Sequence, residues 1–369
     1  MAKLYYTGEV DKKALPEAPV VVDTNLKADL DKPDDYLPHP LVVKAVNAAL
    51  WLGQPLLVTG APGVGKSSIA ASVARELAWG QVKTIHCRAD MVSADLFYEF
   101  DQLTRLFDVN AAAAMARETP NTGETAPATS AKLPDLSTYL NFHPLGEAIL
   151  IAAGADAKLK KISSSATEDT LVKHIAPPSV LSAQSPQSVV LIDEIDKAPR
   201  DVPNDILNQI DAMSFRIHEL GCEIKAPADR RPFVIMTSNS EKSLPEAFLR
   251  RCVYVNVPYP SLDRDGTKPT LEDIVVSRLG NVIHARLFAE AFDVFRRIFE
   301  QSASFRHRPS PAVFLNWLLV LQAEADGDMD KGLGDLGTSA RDLLGVMLND
   351  PEDLKQGQQI MDTWSGRKR

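Results

Sequence analysis

Residues 54–68 read Q-P-L-L-V-T-G-A-P-G-V-G-K-S-S, and this stretch decides the fold class of the chain. A short apolar run ends at Thr59, glycines follow at positions 60, 63 and 65, and a helical pattern begins after Ser67. A strand, a glycine-rich loop and a helix in this order are typical of a phosphate-binding loop. Glycines let the backbone turn its N–H groups toward an anion, and the N-terminus of the following helix adds partial positive charge. The stretch therefore predicts a site for the phosphates of a nucleoside triphosphate.

Two side chains of this loop carry the expected chemistry. Lys66 can reach the β- and γ-phosphates, and the Ser67 hydroxyl can bind Mg²⁺. The predicted nucleotide-binding residues form one consecutive run, namely Gly60, Ala61, Pro62, Gly63, Val64, Gly65, Lys66, Ser67 and Ser68.

A second apolar run, at residues 189–192, ends in two acids, Asp193 and Glu194. Such a run predicts a buried parallel strand, and ligands of open α/β sheets bind at the carboxyl ends of these strands. We expect Asp193 to bind Mg²⁺ together with Ser67, and Glu194 to orient and deprotonate the attacking water. An acid pair alone can also mark an ordinary strand end. The phosphate loop upstream favours the catalytic interpretation.

Two later segments add polar and basic candidates. Asn239 follows an apolar run at residues 232–237, and its amide can hydrogen-bond the water or the γ-phosphate. Arg250 and Arg251 lie on a short predicted helix, and an arginine donated by a neighbouring subunit would stabilise charge on the transferring phosphoryl group. The sequence leaves the plainer interpretations open: a polar strand terminator for Asn239 and a solvated pair for the arginines.

The composition excludes several classes of function. The chain of 369 residues has 40 Lys and Arg against 49 Asp and Glu, a net charge of −9, which argues against broad affinity for nucleic acid. The three cysteines are scattered without a C-x-x-C pair, so neither a zinc site nor a disulfide framework is indicated. No apolar run reaches the length of a membrane span and no signal-peptide core is present, so we expect a cytoplasmic protein without membrane partners.

Strands and helices alternate through the first two thirds of the chain, which predicts an α/β fold with a parallel sheet between helices. We predict an extended leader over 1–35, a nucleotide-binding core over 36–260 with inserts at about 95–187, and a small all-helical lid and tail over 261–369. Residues 215–225 alternate apolar and polar around a glycine and predict a β-hairpin. Segments 119–131 and 163–186 are too poor in apolar residues for us to assign structure.

The motifs together resemble those of AAA+ P-loop ATPases, and specifically the MoxR-like branch that carries an insert in its second helix. The resemblance extends over about residues 36–325. The motifs that carry it are G-x-x-G-x-G-K-S, V-V-L-I-D-E-I-D-K, M-T-S-N and L-P-E-A-F-L-R-R. Segments 95–101 and 203–207 also resemble the MoxR-like ATPases of bacterial conflict and antiviral defence systems, which are encoded beside von Willebrand factor A and effector proteins.

The resemblance implies Mg²⁺-dependent ATP hydrolysis by a homo-oligomeric ring, a hexamer, that remodels partner proteins in a chaperone-like manner. It implies that Asn239 is the first sensor and that Arg251 is the arginine finger. The chain departs from the family pattern where Arg250 replaces an acid and Cys252 an aromatic residue, so either arginine can be the finger. Ala312 stands where a second sensor arginine is usual, which leaves Arg306 or Arg308 as substitutes.

Three other functions are compatible with parts of the sequence. An ATPase subunit of a metal chelatase shares this architecture and would drive metal insertion by a partner. A nucleotide-dependent assembly switch would bind ATP without hydrolysing it, and the acid pair at positions 193 and 194 argues against it. A nucleic-acid motor is opposed by the acidic net charge.

Overall fold

The fold is described by a computed structural model for residues 32–118, 134–162, 170–239, 244–263, 266, 268–280, 283–325, 328 and 330–364. Most of the predicted leader, the segment 119–131 and residues 163–169 lie outside this range. The chain separates into two compact units. Unit 1 comprises Met1–Val42, Gly60–Ile69 and Val257–Arg369, and unit 2 comprises Val43–Thr59 and Ala70–Asn256. The domain boundaries given above stay predictions.

Strands and helices alternate through most of the first two thirds of the chain, and only helices follow residue 257 in the described residues. The strands are β1 Leu56–Gly60, β2 Lys83–His86, β3 Tyr98–Phe100, β4 Leu140–Phe142, β5 Lys160–Lys161, β6 Val189–Asp193, β7 Ser214–Ile217, β8 Cys222–Lys225, β9 Phe233–Thr237 and β10 Val253–Val257. The helices are α1 Pro40–Leu52, α2 Ser68–Glu76, α3 Gln102–Glu118, α4 Pro144–Ala153, α5 Pro178–Leu181, α6 Asp201–Ala212, α7 Glu246–Leu249, α8 Leu271–Leu279, α9 Ala285–Gln301, α10 Pro311–Glu324, α11 Thr338–Asp342 and α12 Pro351–Thr363.

A five-stranded parallel sheet in the order β10-β1-β9-β6-β2 forms the centre of unit 2. Its inner strands are buried over nearly their whole length, as continuous apolar runs require when helices cover both faces. The register pairs Val58 with Thr237, and His86 with Asp193. Since parallel strands end at the same edge of a sheet, Thr59, Asp193 and Thr237 are all delivered to one edge. The predicted α/β fold is confirmed.

Part of the segment between β2 and β6 packs against the predicted hairpin. β7 and β8 pair antiparallel over residues 214–225, and β5 joins the far side of β8, which gives the order β5-β8-β7. The ring centroids of Phe97 and Phe215 lie 5.3 Å apart in a stacked pair. Residues 170–186, to which the sequence analysis assigned no structure, contain α5. The reason is that Val172 and Val180 are buried in the core of unit 2.

Unit 1 has a helical core of its own. The rings of Phe295 on α9 and Phe314 on α10 lie 4.2 Å apart within it. Thr270 caps the start of α8: its hydroxyl accepts the Asp273 N–H at 3.1 Å, and the Asp273 carboxylate accepts the Thr270 N–H at 2.9 Å. Among the described residues, no helix combines the length and the apolar character needed to span a bilayer.

Candidate active site

The phosphate-binding loop adopts the backbone that its glycines predict. Gly60, Gly63 and Gly65 have φ angles of 142°, 72° and 89°, a region that residues with a side chain rarely adopt. Space also demands glycine here, since a Cβ on Gly60 would lie 2.7 Å from the Val257 carbonyl oxygen. The loop therefore has the turned backbone that can present N–H groups to phosphates.

Lys66 lies across this loop and is nearly buried, with 8% of its surface exposed. Its Nζ donates to the Gly60 carbonyl at 2.9 Å and to the Ala61 carbonyl at 3.1 Å. The ammonium group is thus held by two carbonyl groups of the same loop in which it is predicted to bind phosphate. Ser67 is exposed and directly precedes α2.

Two other segments of unit 1 pack against the loop. A Cβ on Gly63 would overlap the Ser310 hydroxyl and lie 3.1 Å from the Ala312 methyl group. A Cβ on Gly65 would lie 3.2 Å from the ring of Tyr36. The start of α10 therefore lies at the loop, and at the position expected for a second sensor it presents only a methyl group.

The two arginines offered as substitutes for that sensor are held by other groups of unit 1. The guanidinium of Arg306 contacts the carboxylates of Asp350 and Glu352, each at 3.2 Å. The guanidinium of Arg308 lies 3.8 Å from the ring centroid of Phe299. A role for either as second sensor would require it to leave these contacts.

In unit 2, one hydroxyl group contacts both the predicted Mg²⁺ ligand Asp193 and the predicted catalytic acid Glu194. Thr237 Oγ1 donates to Asp193 Oδ1 at 2.5 Å and accepts the Glu194 N–H at 2.9 Å. The second oxygen of Asp193 lies 3.3 Å from His86 Nδ1. Thr237 at the end of β9 therefore fixes the ends of β6, and both carboxylate oxygens of Asp193 have a neighbour that orients them.

Glu194 has an unusual backbone for a residue with a side chain, with φ 57° and ψ 51°. The left-handed conformation costs about 1–2 kcal/mol for such a residue, and strain of this kind concentrates at functional sites. Its side chain is 34% exposed and accepts a hydrogen bond from Lys197 Nζ at 2.6 Å. The other carboxylate oxygen lies 3.4 Å from Asn239 Nδ2, so the structure brings the predicted acid and the predicted sensor together.

The end of β6 is negatively charged, because the carboxylates of Asp193, Glu194 and Asp196 lie there. Burial, and then the carboxylates of Asp193, Asp196 and Glu194, raise the pKa of the Cys87 thiol to about 12. The hydrogen bond to Glu194 raises the pKa of Lys197. In the part of the chain that the structure describes, no three His, Cys, Asp or Glu side chains could enclose a metal by themselves. The carboxylate of Asp193 suits Mg²⁺ nonetheless, because this ion is usually bound by one or two carboxylates plus substrate phosphates.

The predicted arginine fingers are both on the surface of unit 2. Arg251 Nη1 donates to Asn208 Oδ1 at 3.1 Å and lies 3.4 Å from Asp211 Oδ2. Arg250 forms an ion pair with Glu246 on its own helix at 2.6 Å. Neither arginine contacts Asp193 or Glu194 among the described residues.

Thr237, His86 and Lys197 also belong to the site, although they were not among the residues predicted from the sequence. Thr237 and His86 each end a strand, which is the only local signal they carry, and Lys197 follows Glu194 by three residues. Their roles depend on which strands are neighbours in the sheet.

The Thr237 hydroxyl gives a specific prediction. We expect Thr237→Val to lower the rate of nucleotide hydrolysis about 30-fold, because both acids lose a hydrogen bond, each worth about 1 kcal/mol. The nucleotide affinity should change little. Thr237→Ser keeps the hydroxyl and is the matched control. A steady-state turnover assay with both variants is decisive, and equal rates for Val and Ser would remove Thr237 from the site.

A family model described as "AAA domain (dynein-related subfamily)" matches residues 55–126 and 146–252. A comparison with curated proteins finds no significant match. Similar solved structures include a "putative ATPase" from Cytophaga hutchinsonii ATCC 33406, at 13% identity and TM-score 0.33, with 92% of each chain covered. NtrX from Brucella abortus is similar at 14% identity and TM-score 0.43, over 84% of this chain and 57% of that one.

The family match begins before the phosphate loop and ends after the arginine pair. It therefore includes the loop at residues 60–68, the acid pair at 193–194, Asn239 and the arginine pair. The chain therefore contains an AAA+ P-loop domain and is an ATPase.

Proposed function

We propose that this ATPase is a MoxR-like, ring-forming enzyme that uses Mg²⁺-dependent ATP hydrolysis to remodel or activate partner proteins. The observation that carries the catalytic part is the linkage of Asp193 and Glu194 through the Thr237 hydroxyl. An assembly switch without turnover would not need this arrangement. The MoxR-like branch, the ring and the partners are supported by the motifs.

The loop is assigned to binding and the acids to hydrolysis. Gly60 is the last residue of β1 and Asp193 the last of β6, and both strands belong to the five-stranded sheet. Backbone N–H groups of residues 60–68, other than Pro62, and the Lys66 ammonium bind the phosphates. Ser67 and Asp193 hold Mg²⁺, which when bound neutralises charge on the phosphate oxygens.

Glu194 is assigned the water-activating role. Lys197 and Asn239 hold its two carboxylate oxygens, which fixes their direction before a substrate arrives. A carboxylate oriented in this way can accept a proton from a water placed in line with the γ-phosphate. We assign Asn239 the sensor role, which its contact with the Glu194 carboxylate supports.

An arginine donated by a neighbouring subunit completes the proposal. Arg251 is 45% exposed, and its contacts among the described residues are with side chains of α6, so it can be offered to a second copy. Such an arginine stabilises charge that develops on the transferring phosphoryl group. A hexameric ring is the assembly that the family resemblance favours.

A subunit-mixing experiment tests the arginine in trans. Arg251→Ala and Lys66→Ala proteins are each expected to be inactive alone. Mixed, they should regain turnover, because an intact Arg251 then faces an intact loop. Arg250→Ala mixed with Lys66→Ala shows whether Arg250 serves instead. Absence of rescue in both mixtures, with mixed assembly verified by light scattering, would contradict an arginine finger.

For the pathway, we propose partners such as von Willebrand factor A domain or effector proteins of a bacterial defence system. The support is the similarity of residues 95–101 and 203–207 to ATPases of such systems. Genes for these proteins beside this one would agree with the proposal. Cobalamin or chlorophyll biosynthesis genes in that place would favour a chelatase.

A further inference from the structure

The strand β7 lies at one edge of the sheet β5-β8-β7, and a cavity of about 420 Å³ borders it. Ser214, Arg216 and His218 line this cavity. An edge strand presents a row of backbone N–H and C=O groups that its own sheet does not pair. The edge and the cavity therefore form one surface of unit 2.

The ladder shows which backbone groups face outward. The Ala226 N–H donates to the Met213 carbonyl at 2.9 Å, so the hydrogen-bonded pairs with β8 fall at Met213 and at every second residue after it. The backbone groups of Ser214 and Arg216 consequently point away from β8. The N–H of His218, which has the same parity, donates to Tyr98 Oη at 3.2 Å and agrees with this direction. In the described part of the chain, the backbone groups of Ser214 and Arg216 have no backbone partner outside the ladder.

The cavity itself combines an aromatic wall with an unused acceptor. The stacked rings of Phe97 and Phe215 and the ring of Tyr98 line it and are buried in the core. Gln209 Oε1 is also buried and has no hydrogen-bond partner among the described residues. Buried polar atoms are usually paired, so this oxygen calls for an N–H donor.

We propose that this surface binds an extended segment of a partner protein, which adds to β7 as a fourth strand and places an apolar side chain in the cavity. An extended peptide repeats its N–H and C=O groups about every 6.6 Å, which is the spacing of Ser214 and Arg216 along β7. It also supplies N–H donors for Gln209. The inference deepens the proposed function, because it assigns a place on the ATPase to the proteins on which it would act.

A blocked pentapeptide, acetyl-Ser-Val-Phe-Thr-Ser-amide, is the probe, and its affinity for the full chain is measured by calorimetry without nucleotide. Arg216→Pro removes one outward N–H without touching the ladder to β8, and proline is tolerated on edge strands in this position. Affinity should fall about five- to tenfold, since one or more backbone hydrogen bonds are lost. Arg216→Ala keeps the N–H and should bind like the wild type. Unchanged affinity in a folded Arg216→Pro protein would overturn the proposal.

Two further variables keep the test independent of how Arg216→Pro folds. The first is N-methylation of the peptide. One peptide is methylated at Val and Thr and the other at Phe alone, so each loses N–H groups on one side of the extended backbone. Binding should be abolished for one of the two peptides. The second is Ala94→Trp, which fills the cavity from an exposed alanine in its wall and should block binding, whereas Ala111→Trp on α3 should not. Equal affinity of the protein for the two methylated peptides would refute a fourth strand. An Ala94→Trp protein that binds the peptide as tightly as the wild type would refute it as well.

Other occupants give different results, and each would overturn the proposal. If the edge belongs to a second copy of the chain, Arg216→Pro should change the assembly size in sedimentation. If it belongs to this chain, the peptide should bind only after residues 119–133 are removed. Because no ATP is present, failure here leaves the ATPase assignment intact, and failure of the turnover assays leaves the peptide site intact.

Discussion

Replacing Lys66 with alanine is expected to weaken ATP binding about 10- to 150-fold. Hydrogen bonds to charged groups contribute about 1.5–3 kcal/mol, and the lysine is the strongest fixed charge of the loop. A second effect acts in the same direction, because the Lys66 ammonium also joins the carbonyls of Gly60 and Ala61. The variant loses both the phosphate contact and this internal tie.

Titration with a fluorescent ATP analogue measures this loss. Lys44→Ala removes a lysine from the exposed face of α1 and is the matched control, with no expected change. Circular dichroism of both variants checks that the fold is kept. Normal affinity in a folded Lys66→Ala protein would end the assignment of residues 60–68 to phosphate binding.

Replacing Glu194 with glutamine should separate binding from hydrolysis. Glutamine keeps the size of the side chain and can still pair with Asn239, but it cannot take a proton from water. General-base catalysis contributes about 10²–10⁴-fold, so turnover should fall by at least about 100-fold while ATP affinity is retained. Phosphate release under saturating Mg-ATP is the measurement.

Glu99→Gln is the control for this substitution, because Glu99 lies exposed on β3 and takes no part in the site. Its turnover should equal that of the unchanged chain. If Glu194→Gln hydrolyses ATP at the same rate as Glu99→Gln, another group activates the water and the role of Glu194 is wrong.

The elements that could be predicted from sequence are those whose signal is local. The glycines of the loop are required by backbone angles within the loop itself, and β6 is a continuous apolar run that ends in its functional acids. The Thr270 cap and the β7–β8 hairpin are also encoded within a dozen residues. In each case, the residues that form the structure are neighbours in the chain.

The parts that could not be predicted depend on contacts between distant residues. Thr237 reaches the acids only because β9 lies beside β6, and His86 reaches Asp193 only because β2 is the other neighbour. β5 joins β8 across about sixty residues, with only two lysines as its sequence. Val172 and Val180 order a segment rich in polar residues because both side chains are buried in the core of unit 2.

The central claim is that Ser67 and Asp193 act on one magnesium ion bound to ATP. A double-mutant cycle measures it directly: the Mg²⁺ concentration for half-maximal ATP hydrolysis is determined for Ser67→Ala, Asp193→Asn and the double variant. If both residues bind the same ion, the second substitution should add little to the first, with a coupling of at least about 1 kcal/mol. Effects that add to within about 0.5 kcal/mol would show two independent residues and contradict the account.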